Sequence, residues 1–443
     1  MRGIRGAVLG RIDELATETI SLVQEMVRID SRNPTFPGLE RADVIGGEAR
    51  VNDLLEQRYR AAGLEISRVA VDPERSNLVG IRRGTGGGRS LALNGHVDTV
   101  SPVNAAGWVT GDPWDPQIID GRLYGIGSTD MKAAGAAMWT VAQALEDQGV
   151  QLQGDLHLHS VIGEEMMEHD LGTSAVIRAG NRTDAAIVTE STSIPVPLTV
   201  NPAAPSALVF SVAVVGKATH SGNRPLAMRP GGPGSLIGVN ALEKVLPIVQ
   251  ALQQLEAQWG VDMRHPLFPH GWFTIGPNVL HADAGLPFPA SLPDRARVDY
   301  VAWHSPSIDA EEIKAVISAQ VHHVAQLDPW LREHPPEFTW HVSWPGFETA
   351  WDAPITQTMV AAHAEVSGAR QPDPTPDHAA NFGAACDATF YIREGIPAIV
   401  YGPGELRIAH GMDEFVLVDE VTLSAKALAL AVIDWCGTVE GGV

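Results

Sequence analysis

The sequence predicts an α/β protein of two domains: a larger one with a mixed central sheet flanked by helices, and a ferredoxin-like one inserted into it. Two observations predict this. Segments of helical and strand periodicity interleave up to Pro202 and resume after residue 346. Between them, residues 203–345 spell the order βαββαβ, the pattern of a self-contained unit. Residues 1–202 and 346–443 then form one discontinuous domain. A chain of 443 residues is also long for a single core.

The elements follow in order. Residues 11–29 carry Ile12, Leu15, Ile20, Leu22, Val23, Met26 and Val27 at helical spacing, and "SRNP" stops that helix. A second helix over 46–63 ends at Gly63. "NLVGIRR" reads as a strand. "SLALNGHVD" begins as one and is expected to turn at Asn94-Gly95. "MKAAGAAMWTVAQALEDQG" is an Ala-rich helix, "GDLHLHSVIGEE" a strand entering a core, and "DAAIVTE" a short buried strand. The insert contributes "SALVFSVAVVG" as a strand, a helix over 235–259, the strands "WFTIG" and "ARVDYVAWH", the helix "DAEEIKAVISAQVHHVAQL" and the strand "EFTWHVSW". "RPLAMRPGGPG" is a Gly/Pro-rich loop. The α/β pattern then returns as the helix "PITQTMVAAHAEVSG", the strand "PAIVYGPG" and a helix over 420–435.

Bulk properties narrow the function. The net charge of −22 argues against nucleic acid and anionic membrane surfaces as partners. No apolar run reaches the roughly 18 residues of a membrane span, and "AVLG" near the N-terminus is too short for a secretory signal. Cys386 and Cys436 form neither a CxxC pair nor a disulfide framework. A cytoplasmic enzyme is the expectation.

The chemistry concentrates at strand ends. His96 and Asp98 follow the strand of "SLALNGHVD". Asp130 precedes the Ala-rich helix, Glu164 and Glu165 end "SVIGEE", Glu190 ends "AIVTE", and His410 follows the "PAIV" strand. In open α/β sheets, ligands bind in the crevice beyond the carboxyl ends of the strands, so these loops can converge. Carboxylates gathered there would repel one another without a cation. Imidazole and carboxylate donors without thiolate suit Zn²⁺, Mn²⁺ or Co²⁺, and their number exceeds what one hydrolytic ion needs. Asp98 is placed to accept the second ring N–H of His96. Each piece alone has a bland reading: an H-x-D is common by chance, and a Glu pair is usually solvated surface. His157 and His159 within a strand, and His322 and His323 on a helix, read as structural. The weight lies in the ordered set.

That set resembles the metallopeptidase and deacylase family of acetylornithine deacetylase, succinyl-diaminopimelate desuccinylase, aminoacylase and carboxypeptidase G. "NGHVDTVSP", "GIGSTDMKAAGAA", "GEE", "VTE", "GKATHSG" and "YGPGELRIAHGMDE" stand in the family's order over nearly the whole chain. The resemblance implies two divalent metal ions per chain, zinc foremost, with manganese or cobalt as alternatives. His96, Asp130 and Glu190 would hold one ion; Asp130, Glu165 and His410 would hold the other, with Asp130 as the bridge. Glu164 would be the general base and Asp98 the support of His96. The family uses the inserted domain as a lid and dimer interface, and His220 in "GKATHSG" would reach the partner subunit's site to steady an oxyanion. Such a pair of ions can hold a hydroxide and polarise a carbonyl together.

The implied activity is that of a dinuclear metal-dependent amidohydrolase acting on a small-molecule amide, foremost an N-acyl amino acid deacylase working as a homodimer. The alternatives are a dipeptidase or carboxypeptidase, a hydrolase of an unusual aromatic amide or amine, and a non-catalytic binding protein on the same fold; intact ligands disfavour the last. Three departures bear on substrate. Gly163 stands where the family often has Asp. The family's "D-x-R-x-x-P" is here "DYVAWHSP", with Trp303 at the arginine position and Arg295 and Arg297 upstream. The stretch leading to Asn240-Ala241 is lengthened by "LAMRPGGPG". Asn240, Arg295, Arg297 and Trp303 are the candidate substrate-binding residues, and an aromatic or uncharged substrate gains ground.

Overall fold

The computed structural model describes residues 2–193, 198–228, 233–285, 289–375 and 377–439. Residues 229–232 of the Gly/Pro-rich loop lie outside them. The chain divides into two compact units. One comprises Met1–Ala203, Phe347–Asp373 and Ala380–Val443; the other comprises Ala204–Gly346 and Pro374–Ala379. The principal strands are β1 (Glu65–Asp72), β2 (Arg75–Arg82), β3 (Leu91–His96), β4 (Leu156–Val161), β5 (Ala185–Val188), β6 (Ser206–Val215), β7 (Thr274–Asp283), β8 (Arg295–His304), β9 (Glu337–Trp344) and β10 (Ala398–Val400). The principal helices are α1 (Arg2–Val27), α2 (Gly47–Ala61), α3 (Ala133–Asp147), α4 (Ala241–Asp262), α5 (Ala310–Ala325), α6 (Pro354–Ser367) and α7 (Val418–Cys436).

The larger unit is a six-stranded mixed sheet in the order β1-β2-β4-β3-β5-β10. The first pairings are antiparallel, and β4, β3, β5 and β10 run parallel. Every residue of β3, β4 and β5 is buried. Helices cover the sheet, so these strands are buried on both faces, and their polar residues Asn94, His96, His157, His159 and Ser160 are buried with the rest. α3 packs against both α1 and α7. Its Ala133, Ala134, Ala136 and Ala137 are fully buried and let neighbouring backbones approach closely.

Three boundaries differ from the sequence reading for physical reasons. α1 starts at Arg2, well before residue 11. Gly3, Gly6 and Gly10 disfavour helix by about 1 kcal/mol each, but Val8 is fully buried on its inner face, and burying such a side chain returns about 1.5–3 kcal/mol. β3 runs on through Asn94 and Gly95 to His96 instead of turning. A Cβ at Gly95 would lie 3.1 Å from Met131 Cε and 3.2 Å from Thr189 Oγ1, so the glycine serves close packing. β1 was not foreseen; it is an edge strand with no buried residue, so no apolar alternation marks it.

The inserted unit has the order β6-α4-β7-β8-α5-β9, and its four-stranded antiparallel sheet is arranged β7-β8-β6-β9. This is the ferredoxin-like topology. β7 extends to Asp283, past the "WFTIG" segment, because residues 277–283 are mostly exposed and carry no hydrophobic signal. α4 begins at Ala241 rather than near 235, since Asn240 caps it by accepting from the N–H groups of Leu242 and Glu243. Part of the expected loop is helical, over Arg224–Met228. Among the described residues, no helix is long and apolar enough to cross a membrane.

Candidate active site

The carboxyl ends of β3, β4, β5 and β10 lie at one edge of the larger unit. Successive connections leave β3 for β4 on one side and return to β5 on the other, which makes the end of β3 a topological switch point. His96 is the last residue of β3. Glu164 and Glu165 follow β4, Glu190 follows β5, and Asp130 lies in the segment that enters α3. His410 follows β10 in a left-handed conformation, φ 59°.

These side chains converge. His96 Nε2 lies 3.0 Å from Asp130 Oδ1, 3.4 Å from Glu190 Oε1 and 3.9 Å from Glu164 Oε2. His410 Nε2 lies 3.3 Å from Asp130 Oδ2 and 2.9 Å from Glu165 Oε2. The two oxygens of Asp130 thus face different histidines. Ligand atoms of His96, Glu164 and Glu190 lie within 4.8 Å of one another, as do those of His96, Asp130 and Glu165. The His96 side chain is 1% exposed, whereas His410 is 53% exposed and marks the open side of the crevice.

The electrostatics call for a cation. Burial, with Asp130 adding, pushes Glu165 up to about 7. Burial also raises Glu164 above the usual carboxylate range, where Glu190 adds, and Glu190, where Asp130 adds. Burial also opposes the charge of Asp130, but hydrogen bonds from His410 and His96 outweigh it and hold Asp130 low. Burial pulls His96 down, yet Glu190 and Asp130 hold it well above its usual value. Hydrogen bonds to Asp130 and Glu165 raise His410 to about 11. Two like charges about 4 Å apart cost roughly 4 kcal/mol even at an effective dielectric near 20. That is a large part of a typical domain stability of about 5–15 kcal/mol. Glu165 Oε1 is buried with no hydrogen-bond partner among the described residues, an orphan that a divalent ion would satisfy. The imidazole and carboxylate donors fit such an ion.

Asp98 differs from its expected geometry. His96 Nδ1 donates to the main-chain oxygen of Asp98 at 3.0 Å, while the nearest carboxylate oxygen is 3.6 Å away. That carboxylate is engaged elsewhere: it accepts from Glu164 N at 3.3 Å, Glu165 N at 3.1 Å and Asn33 Nδ2 at 2.9 Å. The tautomer of His96 is fixed either way, with Nε2 left toward Asp130 and Glu190.

The remaining candidates lie in the inserted unit. His220 is exposed, and its Nδ1 accepts from Gly222 N at 3.1 Å, which places the neutral ring's proton on Nε2. Asn240 is the cap of α4. Arg295, Arg297 and Trp303 share the less buried face of β8. Arg295 is exposed, Arg297 grips Asp299 with Nε and Nη2, each at 2.9 Å, and Trp303 is half-buried.

Two buried carboxylates were missed by the sequence reading. Glu414 accepts from the N–H groups of Thr129 at 2.9 Å and Asp130 at 3.1 Å; burial, with Asp130 adding, raises it to about 8. It closes the "HGMDE" motif, the one signal that marks it. Asp387 accepts from Thr173 Oγ1 at 2.8 Å, its Oδ1 has no partner among the described residues, and burial with Glu190 and Asp98 nearby raises it to about 7. Nothing in "ACDATF" distinguishes it from a helix-capping Asp.

Imidazoles and carboxylates converging at the switch point of a mixed sheet, in a chain that also carries a βαββαβ insert, define the class of a metal-dependent hydrolase. The chain belongs to peptidase family M20/M25/M40, whose model matches residues 92–434. It is 28% identical over 441 residues to N-formyl-4-amino-5-aminomethyl-2-methylpyrimidine deformylase of Halalkalibacterium halodurans, covering 97% of each chain. It is 25% identical over 418 residues to acetylornithine deacetylase of Vibrio campbellii, covering 94% of this chain and 98% of that one. In fold it is similar to human carnosine dipeptidase 1, with a TM-score of 0.72 at 15% identity, covering 98% of this chain and 99% of that one.

Proposed function

We propose that the protein removes a short acyl group, formyl foremost, from a small amine with an aromatic ring. The observation that carries this reading is Trp303 on β8, at the position where the family's arginine would meet a substrate carboxylate. The deformylase of H. halodurans, whose name specifies a pyrimidine substrate, supports it. An N-acyl amino acid is the second reading, favoured by the relationship to acetylornithine deacetylase. The test is amine release from an N-formyl aminomethylpyrimidine, N-acetylornithine, other N-acyl amino acids and dipeptides, with Zn²⁺, Mn²⁺ or Co²⁺ supplied. The formamide should lead by at least about tenfold in kcat/KM; an equal lead for an N-acyl amino acid or a dipeptide would replace this reading.

Two divalent ions are proposed, one held by His96, Asp130 and Glu190, the other by Asp130, Glu165 and His410. Support comes from the two oxygens of Asp130 facing the two histidines. When bound, such ions polarise the scissile carbonyl and lower the pKa of water toward about 7. Glu164, beside His96 but outside both sets, takes the water proton and passes it to the leaving nitrogen. Asp98 holds the Glu164–Glu165 main chain, and Glu414 holds that of Asp130. His220, with its proton on Nε2, donates to the developing oxyanion. The inserted unit dimerises the protein and brings His220 to the partner's site. Elemental analysis of reloaded, desalted protein should approach two equivalents of metal, and a firm plateau at one would remove the bridge.

A further inference from the structure

Asp98 is one end of a buried polar chain that leads away from the crevice. Asn33, fully buried, donates from Nδ2 to Asp98 Oδ2 at 2.9 Å and to Glu168 Oε2 at 3.1 Å. Its Oδ1 accepts from Thr35 N at 2.9 Å and Thr35 Oγ1 at 2.8 Å, and its own N–H donates to Thr99 O at 2.9 Å. The amide is therefore held on every side beside Asp98. Arg75, 2% exposed, donates from Nη1 to Glu168 Oε2 at 2.8 Å. Its Nε and Nη2 clasp Glu48 at 2.6 and 2.7 Å.

The chain braces the turn that carries Glu164 and Glu165. That turn is closed by Met167 N to Glu164 O at 2.8 Å and Glu168 N to Gly163 O at 2.7 Å. Asp98 grips its start through the N–H groups of Glu164 and Glu165, and Asn33 and Arg75 grip its end through the Glu168 side chain. Asn33 joins the two grips with a single amino group.

We propose that Asn33 and Arg75 are positioning residues for the hydrolytic reaction, fixing through Asp98 and Glu168 the turn that presents Glu164 and Glu165. The proposal rests on the assignment of Glu165 as ligand and Glu164 as base. Neither Asn33 nor Arg75 touches the crevice; each acts through a carboxylate that holds the turn.

The test uses the full chain, stripped of metal and titrated with Co²⁺ by visible absorption, beside steady-state kinetics on the best substrate of the panel and thermal unfolding of the stripped protein. Asn33→Ala should lower Co²⁺ affinity and kcat, each by about 10–100-fold, the usual effect of losing an outer partner of a metal site. KM should stay within about threefold. Arg75→Lys, which keeps the charge but loses the fork, should shift both quantities in the same direction and decides the matter if Asn33→Ala does not fold. Wild-type Co²⁺ affinity and kcat in folded Asn33→Ala would overturn the proposal. So would a lower Tm of the stripped protein with affinity and kcat unchanged, since that is a structural role only. Glu164→Gln in parallel separates the two levels: if it keeps full activity, the assignment of the base has failed, while the Co²⁺ titration still reports on Asn33.

Discussion

The crevice of the larger unit and the open sheet face of the inserted unit both gather polar side chains, but in opposite states. In the crevice, Glu164, Glu165 and Glu190 are mostly buried beside Asp130, and each is pushed up by burial. Glu165 Oε1 has no partner among the described residues. On the sheet face, Arg297 grips Asp299, and Ser211 Oγ donates to Asp299 and accepts from His341 Nε2 at 2.6 Å. Nearby, Asn240 spends its side-chain oxygen on a helix cap. A polar group buried without a counter-charge costs stability unless a ligand completes it, whereas one satisfied by its neighbours needs no ligand. The contrast assigns the chemistry to the crevice; in the function proposed above, the inserted unit supports it through His220 and Trp303.

The sharpest way to break that contrast is at the Glu pair. Glu164→Gln should lower kcat by about 10²–10⁴-fold, the range for loss of general-base catalysis, with metal content retained. Glu165→Gln should lose metal instead. Exchanged phenotypes, read by kinetics and elemental analysis, would reverse the two roles.

A smaller effect is expected from His220, whose Nδ1 accepts from Gly222 N and whose Nε2 is left to donate. His220→Ala should cost about 10²–10³ in kcat, as for removal of one oxyanion donor. Mixed and reassembled with Glu164→Gln, it should regain activity, because a mixed dimer holds one site with both groups intact. If subunit exchange is demonstrated and activity stays at the level of the single variants, His220 does not act across a dimer.

The same contrast explains what the sequence makes legible. His96, Glu164, Glu165 and Glu190 could be placed together because each follows an apolar strand and strand ends converge by topology, while Asp130 was placed by its position before the Ala-rich helix and His410 by the loop after "PAIV". The βαββαβ order was visible because β6, β8 and β9 each carry an apolar face or aromatic residues. Residues 277–283 of β7 were not, since an exposed edge leaves no alternation. Asp387 was missed because nothing local distinguishes a buried carboxylate from a solvated one, and Glu414 because its only local mark is its place at the end of "HGMDE". Spacing places Asp98 beside His96 as acceptor of the second ring N–H, but that its main-chain oxygen accepts is decided by Glu164, Glu165 and Asn33, which hold its carboxylate and are distant in sequence.

Proton linkage offers a gentler probe of the crevice. In the ion-free site His410 stays protonated up to about 11, and a histidine must lose its proton to bind metal. Raising the pH removes that competition, so affinity should rise with pH, by about tenfold per unit for each proton displaced. Calorimetric titration of Zn²⁺ or Co²⁺ in buffers of different ionisation enthalpy should count about one proton or more released per ion. Affinity indifferent to pH between about 6 and 8 would mean that neither His96 nor His410 is a ligand.

The smallest effect is expected where the comparison says nothing is missing. Arg297 is half-exposed, with its guanidinium already engaged by Asp299, and such surface pairs contribute about 0.2–1 kcal/mol. Arg297→Ala should therefore barely move Tm and should leave kcat/KM for the formamide within about threefold. Arg295→Ala, at an exposed position, should do less. The informative outcome is a difference between substrates. If Arg297→Ala spares the formamide but lowers kcat/KM for an N-acyl amino acid by about 30-fold or more, near 2 kcal/mol, Arg297 must leave Asp299 to bind a substrate carboxylate. That would supply the cation lost at Trp303, shift the preferred substrate toward acyl amino acids, and show that a side chain satisfied in the free protein can still be recruited by its ligand.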